Sequence, residues 1–420
     1  MKRFDIVVRL EDGSREIAGV LAMGDPAPNG HYRAEFRYDG SWLKSKRRFA
    51  LNPESLSLSS GTFSGYNLNP PLSVFNDALP DRWGRALLLH GLPLSQRADS
   101  LLLSLRARNG LGSIEFIEQG VPPPALVDQA SSLALATLLD AAEKFEAGLP
   151  VDDFHLRRLL AAGTTAGGAR PKVTVSDEAG DWIAKFPSKI LDGRFDITGL
   201  EKAVMDCARA AGMPVPDTRI VHVGTKKLIL IRRFDVTREG GRHHMISLST
   251  LCRERLDYTV SGYDDLADAV RKHSANPSED LAGLFKHAVF NGLAGNTDDH
   301  LKNFAMLHDT GGYRLSPAYD LLPDVNMNQE HVLFFGQQRF IESRITVIDM
   351  ARRWGITDPV RILEDVLAGL SRFDEFARLA GVPEVNVAEI EKDLDRRARR
   401  VADRKSHDRS LKDPSDSPAK

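Results

Sequence analysis

The chain contains two cysteines in 420 residues, Cys207 and Cys252. Two isolated thiols build no disulfide framework and match no zinc-ligand spacing, so a reducing cytoplasm is the expected home. No apolar run approaches the roughly 18 residues that cross a bilayer, so no membrane partner is expected. The N-terminus opens Met-Lys-Arg-Phe-Asp and passes straight into an alternating pattern, without the apolar segment of a secretory signal. Charge excess is also missing. With 56 basic against 58 acidic residues the net charge is −2, which gives no global pull toward nucleic acid. No internal repeat is visible. What remains is an ordinary globular composition, 42% hydrophobic and 27% charged, in a chain long enough for more than one lobe.

The first 60 or so residues read as β-structure. Phe4, Ile6, Val8 and Leu10 alternate with polar positions, as do Tyr32, Ala34, Phe36 and Tyr38, with turn signals at Asp12-Gly13 and Asp39-Gly40. Helical patterning begins near Val74, returns over 98–106, and gives way to a strand-like run at 113–117. Pro122, Pro123 and Pro124 interrupt regular structure and mark a boundary. Helices are expected over 129–147, 152–162 and 200–211, with strands at 173–175, 181–187, 219–223 and 228–231. From about 240 to 402 the pattern is mostly helical, with helices at 264–271, 278–295, 347–354, 359–370 and 387–401. The basic run 396–400 reads as a solvated helix face, and 403–420 as a disordered tail. The expected divisions are therefore 1–122, 123–235, 236–402 and the tail 403–420.

Most of the chemistry lies in Gly295-Asn-Thr-Asp-Asp-His-Leu-Lys-Asn303. Asp298 and Asn303 have the spacing of a phosphoryl-transfer loop, D-x-x-x-x-N, in which the Asp accepts a hydroxyl proton and the Asn holds a metal. No His-Arg pair precedes Asp298, and a plain polar connection from helix to strand is the competing reading. Asp320 ends the next segment, Leu315-Ser-Pro-Ala-Tyr-Asp320, after a turn at Asp309-Thr-Gly-Gly312. A second carboxylate placed there suits a triphosphate whose charge Mg²⁺ must neutralise. Upstream, Lys185 sits in a β-prone apolar run, where an unpaired ammonium is costly. It is either an exposed edge lysine or the lysine that meets the α- and β-phosphates, oriented by Glu201. Glu201 has a rival role at the end of a Thr198-Gly-Leu-Glu201 capping box. The segment 163–172 is glycine-rich and ends in Lys172, but fits neither common phosphate-loop pattern. Adjacent Asp298, Asp299 and His300 leave a metal-dependent hydrolase as a further reading.

The segments 296–303 and 316–321 resemble the signatures of the HipA serine/threonine kinase toxins, bacterial proteins encoded beside a small DNA-binding antitoxin. The block 75–85 is similar to a segment of that family's N-terminal lobe, and Arg232-Arg-Phe-Asp235 to its connection between lobes. The resemblance covers about residues 3–375, with its most specific motifs over 163–321. It implies an α+β, two-lobed protein-kinase-like fold with a mixed N-terminal lobe and an α-helical C-terminal lobe. It also implies ATP and Mg²⁺ as cofactors and a host protein substrate, aminoacyl-tRNA synthetases being the class associated with such kinases. Asp298 is then the base, and Asn303 and Asp320 are the metal ligands. Lys185, Glu201, the backbone at Arg232 and Phe234, Gly167, Gly168, Ala169, Lys172, His300, Lys302 and Tyr319 form the ATP site. Thr165 stands where the family carries an autophosphorylated serine, a departure in residue type, with Thr164 the rival acceptor. The implied partner is a small helix-turn-helix antitoxin, with DNA reached only through it. The alternative is a weakly active or inactive homologue that serves as a corepressor with such an antitoxin.

Overall fold

The alternating N-terminal run pairs as its pattern requires. A computed structural model describes residues 1–80, 82–90, 99, 110–121, 130–131, 134–152, 155–156, 159, 170–253 and 261–402. Strands β1 (Lys2–Arg9), β2 (Arg15–Met23), β3 (Arg33–Tyr38) and β4 (Thr62–Tyr66) meander antiparallel, and β5 (Ile114–Glu118) returns to the free side of β1. Phe4, Ile6, Val8, Ala34, Phe36 and Tyr38 are all buried, as a two-residue period on one face demands. A register shift at Ile6/Val7 lets Val7 be buried as well. Asp39-Gly40 is not a hairpin turn. Asp39 instead caps α1 (Gly40–Lys44), its carboxylate accepting from the Ser41 N–H. Helices α2 (Ser73–Asp77) and α3 (Arg82–Leu88) follow. Most of the helices expected over 98–106 and 152–162, and the break at Pro122–Pro124, lie outside the described residues.

The second sheet comprises β6 (Ala130–Ser131), β7 (Lys172–Asp177), β8 (Gly180–Lys185), β9 (Thr218–Val223) and β10 (Lys226–Arg232), in the order β6-β7-β8-β10-β9. Helix α4 (Leu135–Glu146) covers one face, where Leu138 and Leu139 meet Val173, Val175, Trp182, Ala184, Leu228 and Leu230. Alternation along β8 then puts Lys185 on the opposite face, toward α5 (Ile197–Ala210).

The remainder is helical around a small third sheet of β11 (His244–Ser247), β12 (Ala305–Asp309) and β13 (Gly312–Leu315). Its helices are α6 (Leu248–Arg253), α7 (Tyr263–His273), α8 (Pro277–Ala294), α9 (Arg344–Trp354), α10 (Pro359–Leu370), α11 (Phe373–Leu379) and α12 (Glu384–Val401). Helix α8 is central, with Leu284, Phe285, Ala288, Val289, Phe290 and Leu293 buried. Strand β11 interrupts the region that reads as helical, because four residues carry too little alternation to register. The tail 403–420 lies outside the described residues, and no described helix is long and apolar enough to cross a membrane.

One buried carboxylate ties the first sheet to the second. Asp235 Oδ2 accepts from Gly112 N–H at 2.7 Å, and the same side chain takes two bonds from the Arg233 guanidinium at 2.7 and 3.0 Å. Burial pushes the Asp235 carboxyl up, but Arg233 and Arg242 outweigh it and hold it below the usual range. A depressed folded-state carboxyl stabilises at neutral pH and loses that contribution as pH falls through its folded value. Asp235→Asn leaves Arg233 buried without its counter-charge and costs about 3–5 kcal/mol at pH 7. The expected result is a lower urea midpoint than wild type at neutral pH, with the gap closing on acidification.

Candidate active site

Helix α5 begins one residue before Thr198, with Asp196 as its N-cap accepting from Gly199 N–H. Thr198 therefore lies inside the helix, and the capping box it would have headed is not formed. Glu201 is thus free of a capping duty, and its side chain is only 5% exposed. Lys185 Nζ stands 2.6 Å from Glu201 Oε1 and 2.5 Å from Asp320 Oδ1. Because β8 runs between β7 and β10, Lys185 is not an edge lysine. Burial alone lowers its ammonium pKa, but Asp320 and Glu201 overcome that and raise it. Asp320 mirrors this: burial raises its carboxyl, while Lys185 and then Lys172 hold it well below the usual range. Lys172 is the cross-strand partner of Lys185 in the β7–β8 register and is itself buried. Asp320 has φ +58°, in the left-handed region that Asp enters more readily than most side chains.

The loop after α8 sorts its two adjacent acids by side. Asp298 is exposed, whereas Asp299 is 0% exposed. The Asp299 carboxylate accepts from Tyr263 Oη–H at 2.7 Å and Val332 N–H at 2.9 Å, and meets His331 Nδ1 at 3.0 Å. Asp298, Asp299 and His300 therefore do not converge on one point, which removes the ligand set of the metal-hydrolase reading. Leu301–Asn303 form a single tight turn, and Asn303 Nδ2–H donates to Asp298 O at 2.7 Å. The Asn303 Oδ1 has no donor among the described residues. Burial raises the Asp298 carboxyl; His300 opposes this, and the carboxylates of Asp320, Asp299 and Asp324 add to it.

A family model described as the HipA-like C-terminal domain matches residues 164–400, and one described as the HipA N-terminal domain matches 15–117. The chain belongs to the HipA family. Y4mE of Sinorhizobium fredii, a protein named as a kinase, is 28% identical over 319 residues, covering 69% of this chain and 72% of that protein. The serine/threonine-protein kinase toxin HipA of Shewanella oneidensis is 26% identical over 142 residues, 29% of this chain and 33% of that one. A solved complex of HipA, HipB and operator DNA from Shewanella oneidensis matches with a TM-score of 0.67 at 18% identity, covering 95% of this chain and 97% of that chain. The fold is accordingly two-lobed, kinase-like and α+β.

Tyr319 and Phe234 stack obliquely, with centroids 5.5 Å apart, and Tyr319 Oη–H donates to Lys302 O at 2.9 Å. His300 is half-buried beside Asp298, while Lys302 is exposed. Arg232 is expected to meet the adenine edge through its backbone. Its N–H already donates to Asp217 O at 2.8 Å, and that of Arg233 to Asp181 O, so Arg232 has only its carbonyl to offer an adenine. Gly167, Gly168, Ala169, Thr164 and Thr165 lie outside the described residues.

Sequence reasoning missed Asp299 as an anchor, and it missed His331 and Arg397. Arg397 belongs to the basic run read as a solvated face, yet it is 1% exposed. Its neighbours Arg396, Arg399 and Arg400 line an open cleft of about 1250 Å³ between α9 and α12. The signal was present in the helical phase: Ile390, Leu394, Arg397 and Val401 fall on one stripe, and the apolar three are buried.

Lys185→Met removes the shared cation from Glu201 and Asp320. Since Asp320 is 40% exposed, solvent screens part of the loss, so the expected cost is about 3 kcal/mol, near the low end for a broken buried pair. Adding Glu201→Gln restores part of it, a coupling read from urea midpoints in a double-mutant cycle.

Proposed function

We propose that the chain is an ATP- and Mg²⁺-dependent protein serine/threonine kinase acting as a HipA-like toxin on a host protein. The observation that carries this reading is Lys185 bridging Glu201 and Asp320, with the Asp298–Asn303 loop beside it. Lys185 and Lys172 present positive charge to phosphate oxygens, and Glu201 fixes the Lys185 ammonium when those oxygens compete with Asp320 for it. Asp298, exposed at the mouth of the site, accepts the proton from an incoming serine or threonine hydroxyl. The hydroxyl oxygen forms its bond to the γ-phosphorus as the bond to the β-bridging oxygen breaks, and ADP leaves. Asp320 and Asn303 offer oxygen ligands of the type a hard cation prefers. Bound there, Mg²⁺ supplies charge neutralisation at the phosphates. The raised Asp298 carboxyl also suits a base better than a fully solvated Asp would.

Aminoacyl-tRNA synthetases enter as the substrate class from the family resemblance alone, as do Thr165 and Thr164 as acceptors of a regulating phosphate. A small antitoxin partner is supported by the solved relative, whose complex contains HipB and operator DNA. That same likeness keeps the corepressor reading in view, in which an inactive homologue works only through such a partner. Asp298→Asn separates the two. Transfer from labelled ATP to lysate proteins is expected to fall roughly 10²-fold or more while nucleotide still binds. A chain that binds nucleotide and labels nothing, in wild type as in the variant, favours the corepressor.

A further inference from the structure

Asn303 Nδ2–H holds Asp298 directly by its carbonyl at 2.7 Å, and the most heavily bonded of its chain neighbours is Asp299. Four donors converge on that buried carboxylate: Tyr263 Oη–H, His331 Nδ1–H, and the N–H groups of Val332 and Leu333. His331 is buried too, with Nδ1 3.0 Å from Asp299 Oδ2 and Nε2 3.4 Å from Arg397 Nη1. A carboxylate beside Nδ1 and a guanidinium N–H beside Nε2 suit a ring that donates from Nδ1 and accepts at Nε2.

Arg397 reaches the end of α8 and the stretch after Asp320, the two segments that flank the Asp298 loop. Its Nη1–H donates to Gly292 O near the end of α8 at 3.3 Å, and its Nη2–H to Asn328 O, in the stretch after Asp320, at 2.6 Å. Its Nε–H donates to Asp393 Oδ2 at 2.8 Å, which keeps the buried guanidinium paired within α12. Gly295, where the loop leaves α8 at φ +69°, is fitted to this arrangement: a Cβ there would stand 2.9 Å from Arg397 Nε. Beside it, Arg400 Nη2–H donates to Gln329 Oε1 at 2.6 Å, so α12 grips 328–329 twice.

We infer that His331 and Arg397 are positioning residues for Asp298, a strut from the C-terminal helix that sets the height and direction of the catalytic loop through Asp299. The inference rests on the kinase reading of Asp298. Neither residue touches the expected nucleotide positions, so the effect of losing one falls on the transfer step rather than on ATP binding. A displacement of about 1 Å at a reacting group costs on the order of 10²-fold in rate.

The test uses the full chain, measuring kcat, KM for ATP and thermal midpoint with a labelled protein acceptor. His331→Asn keeps an N–H donor for Asp299 but loses the link to Arg397, while His331→Phe loses both. Arg397→Lys keeps charge near Asp393 but cannot fork across Gly292, Asn328 and His331. The expected order of kcat is wild type, then His331→Asn, then His331→Phe, with a total fall of roughly 10²-fold and KM for ATP within about twofold. Arg397→Lys should fall with His331→Asn. If Arg397→Lys does not fold, the two His331 variants decide alone. Folded His331→Phe with wild-type kcat overturns the strut, as does loss of activity that only follows the unfolded fraction. A wild-type chain that labels no protein overturns the kinase reading itself, and the strut with it.

Discussion

The site depends on one ammonium group held between two carboxylates. Lys185 comes from the middle of a sheet, Glu201 from the helix packed on that sheet, and Asp320 from a segment 135 residues further along the chain. A lone buried charge is costly to desolvate, so each of these groups needs the others. Their meeting fixes the distance between the second sheet, α5 and the segment after β13. Lys172, opposite Lys185 across the β7–β8 ladder, adds a second positive charge without a second element. The Asp320 backbone carries the cost of this arrangement in its left-handed conformation, while Lys185 and Lys172 stabilise its carboxylate and hold it below the usual range.

The loop from Gly295 to Asn303 divides its tasks by alternation. One acid faces solvent, and the next is buried against a tyrosine, a histidine and two backbone N–H groups. An exposed carboxylate on a free loop would wander. An anchored neighbour removes that freedom and leaves the exposed one chemically open. Asn303 closes the turn by donating to the backbone of Asp298, so the two ends of the D-x-x-x-x-N spacing are joined directly.

Much of this was legible in the residues. Two-residue alternation located β1 and β3 and the buried face made by Phe4, Ile6 and Phe36. The apolar period from Leu284 to Leu293 located α8, and the charge in an apolar strand drew attention to Lys185. Other features were not legible, for physical reasons. Strand β11 and helices α6 and α11 are too short to display a period. The pairing of Lys185 with Asp320 is a contact across 135 residues, which no local pattern encodes. Arg397 was hidden among four other residues of one basic-rich run, where only the phase of α12 distinguishes the inward guanidinium from the outward ones. Asp39 looked like a turn residue because capping and turning use the same short acid.

The proposed phosphoryl transfer needs Asp320 and Asn303 to act together as oxygen ligands, whichever residue is the base. The most direct measurement is a titration of nucleotide binding with Mg²⁺ in wild type, Asp320→Ala and Asn303→Ala. Wild type should bind more tightly as Mg²⁺ rises, and each variant should lose most of that dependence, because each removes an oxygen donor from a hard cation. Identical Mg²⁺ dependence in all three proteins would contradict the account.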